Sequence, residues 1–408
     1  VTMAHDLESD PKNSAGGRVG ALLVLTSALP IFQAVLITPI LSIVRDADSQ
    51  HAFATFALRC IVAAPAVSVL FLLPFFGRFA DRFQRRHILI FGLTLYAVSG
   101  VFIYASPGLI SMFAGRLLLG VAVACVMTAT ASLTGDLFRG NERNRILGLQ
   151  YAASAAVGML FPIIGGLIAL ADWHLVFLFY LIALPLILPA TRLPDRIVAA
   201  PGEERSFRAL ALKPLLGSYA LLAIGTMVLW LITIQLAFHL SGLGYTSPVT
   251  AGIALGTPCL SGILVAILYG RVKRHLSFRT IAAAAFLLMS VSYGAISVTT
   301  SLPLLIFALL LAGAGFGLNQ PNCSAWLLSQ VTTEFAGRAA AGLTFAVCVG
   351  QIAAPLIYQA LITSIGSAAC FAVVSFACLL VALAAFFKSR LAPHPDDKLA
   401  ARSAAGIG

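Results

Sequence analysis

Twelve apolar segments constrain this chain more than any other feature. Their approximate limits are 19–44, 56–76, 88–106, 109–135, 146–170, 174–190, 215–239, 249–269, 280–300, 303–328, 340–363 and 367–387. Each is close to the ~20 residues that a helix needs to cross about 30 Å of hydrocarbon. No water at that depth satisfies backbone N–H and C=O groups, so each segment is expected to be a helix. Composition agrees: 60% of the 408 residues are hydrophobic and 10% are charged, against about 25% charged in soluble domains. The expected class is an all-α integral membrane protein with twelve transmembrane helices. The first span exceeds the roughly 7–15 apolar residues of a signal-peptide core and is read as retained.

The net charge of +11 raises the question of a nucleic-acid partner, and its distribution argues against one. With the N-terminus inside, 23 of the 26 Lys and Arg residues fall on inside segments. Arg45 and Arg59 fall outside, and Arg116 lies within a span. This bias sets orientation, with both termini cytoplasmic. The basic balance therefore reports topology. The seven cysteines lie in or at the edges of spans without a CxxC pair, so neither a disulfide framework nor a metal site is expected.

An offset of 193 residues carries Gly77 and Arg78 onto Gly270 and Arg271, Arg86 onto Arg279, Gly120 onto Gly313, Arg145 onto Arg338, and Pro162 onto Pro355. One ungapped offset across four spans of each half implies two parallel six-helix repeats. The expected organisation is a tail at 1–18, a bundle at 19–190, a polar linker at 191–214, a second bundle at 215–387 and a tail at 388–408. Parallel six-helix halves are a transporter plan, with the substrate held at mid-depth between halves that rock.

Between the second and third spans stands "GRFADRFQRR". Here the sequence resembles the major facilitator superfamily, whose loop signature is Gly-x-x-x-Asp-Arg/Lys-x-Gly-Arg/Lys-Arg/Lys. Gly77, Asp81, Arg82, Arg85 and Arg86 match, and Gln84 replaces the second glycine. The resemblance implies a conformational latch on the cytoplasmic side. Asp81 would face the N-terminus of the eleventh span, where unsatisfied N–H groups favour an anion. Arg85 would pair with Asp136 at the end of the fourth span, and the resemblance implies that both contacts exist only while the halves are closed on the cytoplasmic side. An acidic residue does little for orientation, which leaves Asp81 as the stronger latch candidate. The repeat copy has Arg274 in place of Asp81, so the latch belongs to the first half.

Arg116 lies inside the fourth span, where a charge is costly and is a functional candidate by default. The resemblance links an arginine at this place to proton coupling, and it is also a candidate to bind substrate. The competing reading is a structural arginine bonded to backbone carbonyls. Its repeat partner is Leu309. In the fifth span, Gly148, Pro162, Gly165 and Gly166 match the family's antiporter signature. Val157 and Phe161 occupy the places of its two middle glycines, with Gly158 adjacent. The resemblance therefore extends to the drug/proton antiporter branch.

In this family spans 1, 4, 7 and 10 line the cavity. The substrate-binding candidates are Gln33, Arg116, Met227, Trp230, Asn319, Gln320, Asn322, Trp326 and, from span 11, Gln351. Unpaired amides are expensive in hydrocarbon, so they should face a cavity or other helices. Amides, aromatics and methionine suit amphipathic organic molecules. All 15 acidic residues lie in tails, loops or span ends. A cation therefore lacks a partner at mid-depth, which favours neutral, zwitterionic or anionic substrates and leaves no obvious proton carrier. No cluster of His, Asp, Glu or Cys suits an enzyme, and no P-loop suits an ATP-driven pump. The expected activity is proton-coupled export by a monomer in a bacterial inner membrane, without cofactor. The alternative is an importer or facilitator of an anionic or polar metabolite.

Overall fold

The computed structural model describes residues 11–47, 54–82, 84–106, 108–138, 140–193, 212–331 and 336–391. Among them every regular element is helical, and no strand occurs. The first half comprises α1 (Pro11–Val35), α2 (Leu41–Ala47), α3 (Ala54–Arg82), α4 (Arg85–Ala105), α5 (Leu109–Leu137), α6 (Gly140–Ala169), α7 (Leu175–Leu178) and α8 (Leu184–Thr191). The second comprises α9 (Leu212–Gly242), α10 (Pro248–His275), α11 (Phe278–Val298), α12 (Leu302–Leu328), α13 (Ala336–Ile365) and α14 (Ser367–Leu391). Among the described residues, ten helical stretches are long and apolar enough to cross a membrane, and the shorter apolar stretches Phe56–Leu72 and Leu175–Thr191 fall in the second and sixth spans.

Two spans expected as single helices are broken, and proline explains both. In the first, α1 ends at Val35 and a 3-10 turn at Thr38–Ile40 leads into α2. Pro39 has no N–H to give the Val35 carbonyl. The Thr38 hydroxyl donates to that carbonyl instead, at 2.8 Å. In the sixth, a 3-10 stretch at Phe179–Ala183 separates α7 from α8, which opens with Pro185 near its start. At the other margin, α1 begins at Pro11, ahead of the apolar stretch that starts at 19.

The internal repeat is visible in packing. A Cβ on Gly120 would stand 2.6 Å from the Pro65 carbonyl and 2.7 Å from Ser68 Cβ. On Gly313 it would stand 2.0 Å from the Pro258 carbonyl and 2.3 Å from Ser261 Oγ. Each of these residues lies 193 positions from its mate. The α3–α5 crossing thus recurs as α10–α12, with glycine allowing the helix backbones to touch. Arg86 donates to the Thr191 and Leu193 carbonyls at the end of the sixth span. Its mate Arg279 donates to the Lys388 carbonyl at the end of the twelfth. Both cations sit where a helix presents unsatisfied carbonyls.

An even number of spans returns the end of α14 to the side where α1 begins, here called the tail-bearing end. The halves meet along two seams, α6 with α10 and α3 with α13. Along the first, added Cβ atoms on Gly166 and Gly252 would each stand 2.3 Å from an opposing carbonyl, of Pro248 and Pro162 respectively. One on Gly256 would stand 2.5 Å from the Met159 carbonyl, and one on Gly158 would stand 2.9 Å from Cys259 Sγ. At 3.6 residues per turn the same stripes continue to Tyr151 and Ile267. Those residues are each 73% exposed, and Gly148 and Gly270 have no atom within 4 Å of an added Cβ. Along this seam, among the described residues, the halves are therefore joined at the far end and splayed at the tail-bearing end.

Candidate functional site

Arg116 is completely enclosed. Its Nη1 donates to the Gln33 carbonyl at 2.8 Å and the Tyr180 hydroxyl at 3.0 Å. Its Nε donates to the Ile61 carbonyl at 3.2 Å, and its Nη2 to the Val62 carbonyl at 3.3 Å. The sequence makes these acceptors available. Gln33 lies in the last turn of α1, whose carbonyls lose their partners when the helix breaks. Ile61 is four residues before Pro65, which has no N–H to return. The Tyr180 hydroxyl also donates to the Gln33 carbonyl, at 3.3 Å. Arg116 on α5 thus ties together α1, α3 and the sixth span. It reaches no open space in this conformation and bonds to no carboxylate among the described residues.

The other candidates separate into two groups. Asn319 and Asn322 are wholly buried. They donate to the Leu221 carbonyl at 3.2 Å and the Phe278 carbonyl at 2.9 Å, both in their own half. Their amides therefore hold α12 against α9 and α11. Gln320, between them, is exposed. It lies roughly 140° around α12 from the exposed Phe307, at 100° per residue. Met227, Trp326 and Gln351 are half-buried, with Trp326 stacked on Phe278 at 6.2 Å between centroids. Gln33 and Trp230 are buried, yet Gln33 Oε1 and Trp230 Nε1 have no hydrogen-bond partner among the described residues. One acceptor and one donor, on inner helices of opposite halves, thus stand unsatisfied near mid-depth.

In the charged loop, Arg85 forms the expected ion pair with Asp136, and its Nη1 also donates to the Ser132 carbonyl at 3.2 Å. Both partners belong to the first half, and the pair is made while the tail-bearing end is splayed. It therefore does not itself bridge the halves or require their closure. Gly77, Asp81 and Arg82 have backbone in α3; the surroundings of Gly77 and the side chains of Asp81 and Arg82 fall outside the described residues. Of the residues at the start of the eleventh span opposite Asp81, the side chains of 336–338, 340 and 341 also lie outside the described residues, and Ala339 is buried.

The antiporter-signature glycines of α6 behave differently from one another. Gly165 and Gly166 meet the carbonyls of Leu36 and Pro248, and Pro162 presents its carbonyl to Gly252, whereas Gly148 faces open space. Gly158, adjacent to one of the unmatched positions, packs on Cys259.

At the far end the structure assembles residues that the sequence had set apart. Arg59, expected outside, is buried with 2% exposure. Its guanidinium donates across the seam to the side-chain oxygens of Gln359 on α13 and Gln235 on α9. Gln235 Nε2 donates to Ser367 Oγ at 3.0 Å, and His239 Nδ1 lies 3.1 Å from the same hydroxyl. The Arg59 and Arg45 guanidinium carbons stand 5.5 and 5.4 Å from the Phe238 ring centroid. The repeat carried a signal for this site. Arg59 is the mate of Gly252, and Gln359 is the mate of Gly166, so each seam is the counterpart of the other.

Comparison with known proteins places this architecture. Two matches to the sequence profile described as Major Facilitator Superfamily cover residues 22–355 and 215–406. Among curated relatives, Multidrug resistance protein 2 of Bacillus subtilis (strain 168) is 33% identical over 109 residues, 27% of each chain. The Methylenomycin A resistance protein of the same organism is 34% identical over 148 residues, 36% of this chain and 31% of that one. The match thus spans only about a quarter to a third of these relatives. Among solved structures, a POT family transporter in complex with a thioalcohol conjugated peptide superposes with a TM-score of 0.72 at 15% identity, covering 91% of this chain and 96% of that one. The nucleoside transporter NupG superposes with a TM-score of 0.74 at 11% identity, covering 90% and 98%. At such identities the likeness concerns the fold. With the profile spanning most of the sequence and twelve spans arranged as two repeats, the chain belongs to the Major Facilitator Superfamily.

Proposed function

We propose that this transporter exports small amphipathic organic compounds in exchange for protons by alternating access, from the bacterial cytoplasm across the inner membrane. One observation carries the alternating-access reading: the halves pack backbone to backbone at the far end and diverge at the tail-bearing end. Rocking about the same contacts would exchange which end is open. Relatives with resistance in their names favour export, as does the partial antiporter signature of α6. Gln33 Oε1 and Trp230 Nε1 would gain partners from a bound molecule, with Met227, Gln320, Trp326 and Gln351 completing the contact surface. Asp81 remains the latch residue of this reading. Arg116 holds the first half in shape while the halves move.

The absence of any carboxylate from the span interiors in sequence favours a second reading, a facilitator or importer without proton exchange. The deciding experiment uses purified protein in vesicles with an imposed pH gradient, an internal pH dye and a panel of neutral, anionic and cationic compounds. Compound-dependent proton movement establishes antiport. Uptake of a compound without proton movement establishes the second reading, and no flux of any compound defeats both.

A further inference from the structure

We propose that Arg59 is a binding residue for the negatively charged group of an amphipathic substrate, exposed when the far end opens. The inference rests on the alternating-access reading above and adds a ligand chemistry to it. A guanidinium presents a rigid fork suited to two oxygens of a carboxylate or phosphate. In the closed seam that fork is filled by two neutral oxygens, those of Gln235 and Gln359. Ser367 holds the Gln235 amide by accepting from its Nε2, so the amide oxygen is directed at Arg59. Among the described residues, the buried Arg59 Nε has no hydrogen-bond partner, and no carboxylate bonds to this side chain.

A buried cation satisfied only by amides is weakly compensated. Both acceptors belong to the second half and Arg59 to the first, so separation at the far end must strip the fork. An anion with two oxygens fits the vacated positions better than water, because both members of the new contact are charged. Phe238, lying under Arg59 and Arg45, offers an apolar ring beside the charge, as an amphiphile requires. Anion and glutamines then compete for one fork: the anion favours the opened far end, and the glutamine pair displaces it as the seam closes. The same competition serves release or capture at that end, so the proposal does not depend on direction.

The test measures the far-end separation directly. Spin labels are attached through azide-bearing amino acids at Ile110 and Val298, which are 88% and 81% exposed and lie on opposite halves at that end. The protein is placed in phosphatidylcholine vesicles, and decyl phosphate, decanoate and decanol are titrated. The two anions should lengthen the distance in a saturable manner, and decanol should not. Arg59→Gln should raise the half-maximal anion concentration about tenfold, and Arg59→Lys, which keeps charge without the fork, should fall between. Replacing part of the lipid with phosphatidylglycerol, or adding inorganic phosphate, tells whether a headgroup or a free anion also serves. Arg59-dependent opening by either supports the site and identifies its source. Equal responses to decanol and decyl phosphate, or an anion response unchanged in Arg59→Gln, would overturn the proposal. Because the distance is read at equilibrium, failure here with intact compound flux leaves the transport reading standing. Anion-driven opening without any flux has the opposite meaning.

Discussion

The two seams between the halves are counterparts under the internal repeat, yet they are built from opposite materials. Along α6 and α10, Gly166 and Gly252 bring backbones into direct contact. Along α3 and α13, their mates Gln359 and Arg59 meet through a charged hydrogen bond. Among the described residues the glycine seam has no side-chain hydrogen bond to break, so it can keep contact through small rotations. The polar seam has discrete partners, so it is either made or broken. A duplicated fold thus carries a pivot-like contact on one side and a switch-like contact on the other.

The largest expected effect tests whether a buried arginine within one half differs from one across the seam. Arg116→Ala strands the Ile61 carbonyl, leaves the Gln33 carbonyl with Tyr180 alone and opens a cavity, and should cost on the order of 3–5 kcal/mol. A steep fall in the thermal unfolding temperature of detergent-purified protein is the readout. Normal stability with selective loss of pH-dependent flux would return Arg116 to a coupling role. The next effect breaks the glycine seam. Gly252→Ala sets a Cβ against a backbone carbonyl that cannot rotate away, at about 1–3 kcal/mol. The far-end distance between labels at Ile110 and Val298 should lengthen, and a distance matching the parent would show that the seam has slack.

On the polar side, Gln359→Leu removes one of the two acceptors and should favour far-end opening by about 1.5 kcal/mol, roughly tenfold in population. Unfolding temperature should fall much less than in Arg116→Ala. Equal falls in both variants would erase the distinction between a bond within a half and a bond between halves. Smaller still is Asp136→Asn, which removes a partly exposed ion pair worth about 0–1 kcal/mol and should leave the distance distribution unchanged. Gly148→Ala, with open space around the new methyl, should stay within about 0.5 kcal/mol of the parent. A large effect there would indicate that the tail-bearing ends of α6 and α10 meet in another state.

Much of the fold was legible because hydrocarbon leaves a chain few choices. Segment length and apolarity located the spans, and a fixed offset of 193 residues revealed the repeat. Its landmarks Gly120 and Gly313 turned out to be matching helix crossings. The breaks in the first and sixth spans were less legible. A proline inside an apolar run can bend, break or merely decorate a helix, and neighbouring groups decide which. Arg116 was recognised as costly, but its assignment needed the carbonyls released by Pro65 and by the end of α1. The amides of α12 divided by one residue of register: Asn319 and Asn322 face their own bundle, while Gln320 between them does not.

The sequence alone determined the class of molecule, the number of spans and the two-fold repetition, because these follow from local apolarity and self-similarity. Only tertiary structure decided which polar groups were spent inside a half and which join the halves. Arg59 looked like a residue at a span end until Gln235 and Gln359, 176 and 300 residues away in sequence, closed over it. The physical reason is distance along the chain. A hydrogen bond between halves depends on how two separately folded bundles dock, and no local pattern records that.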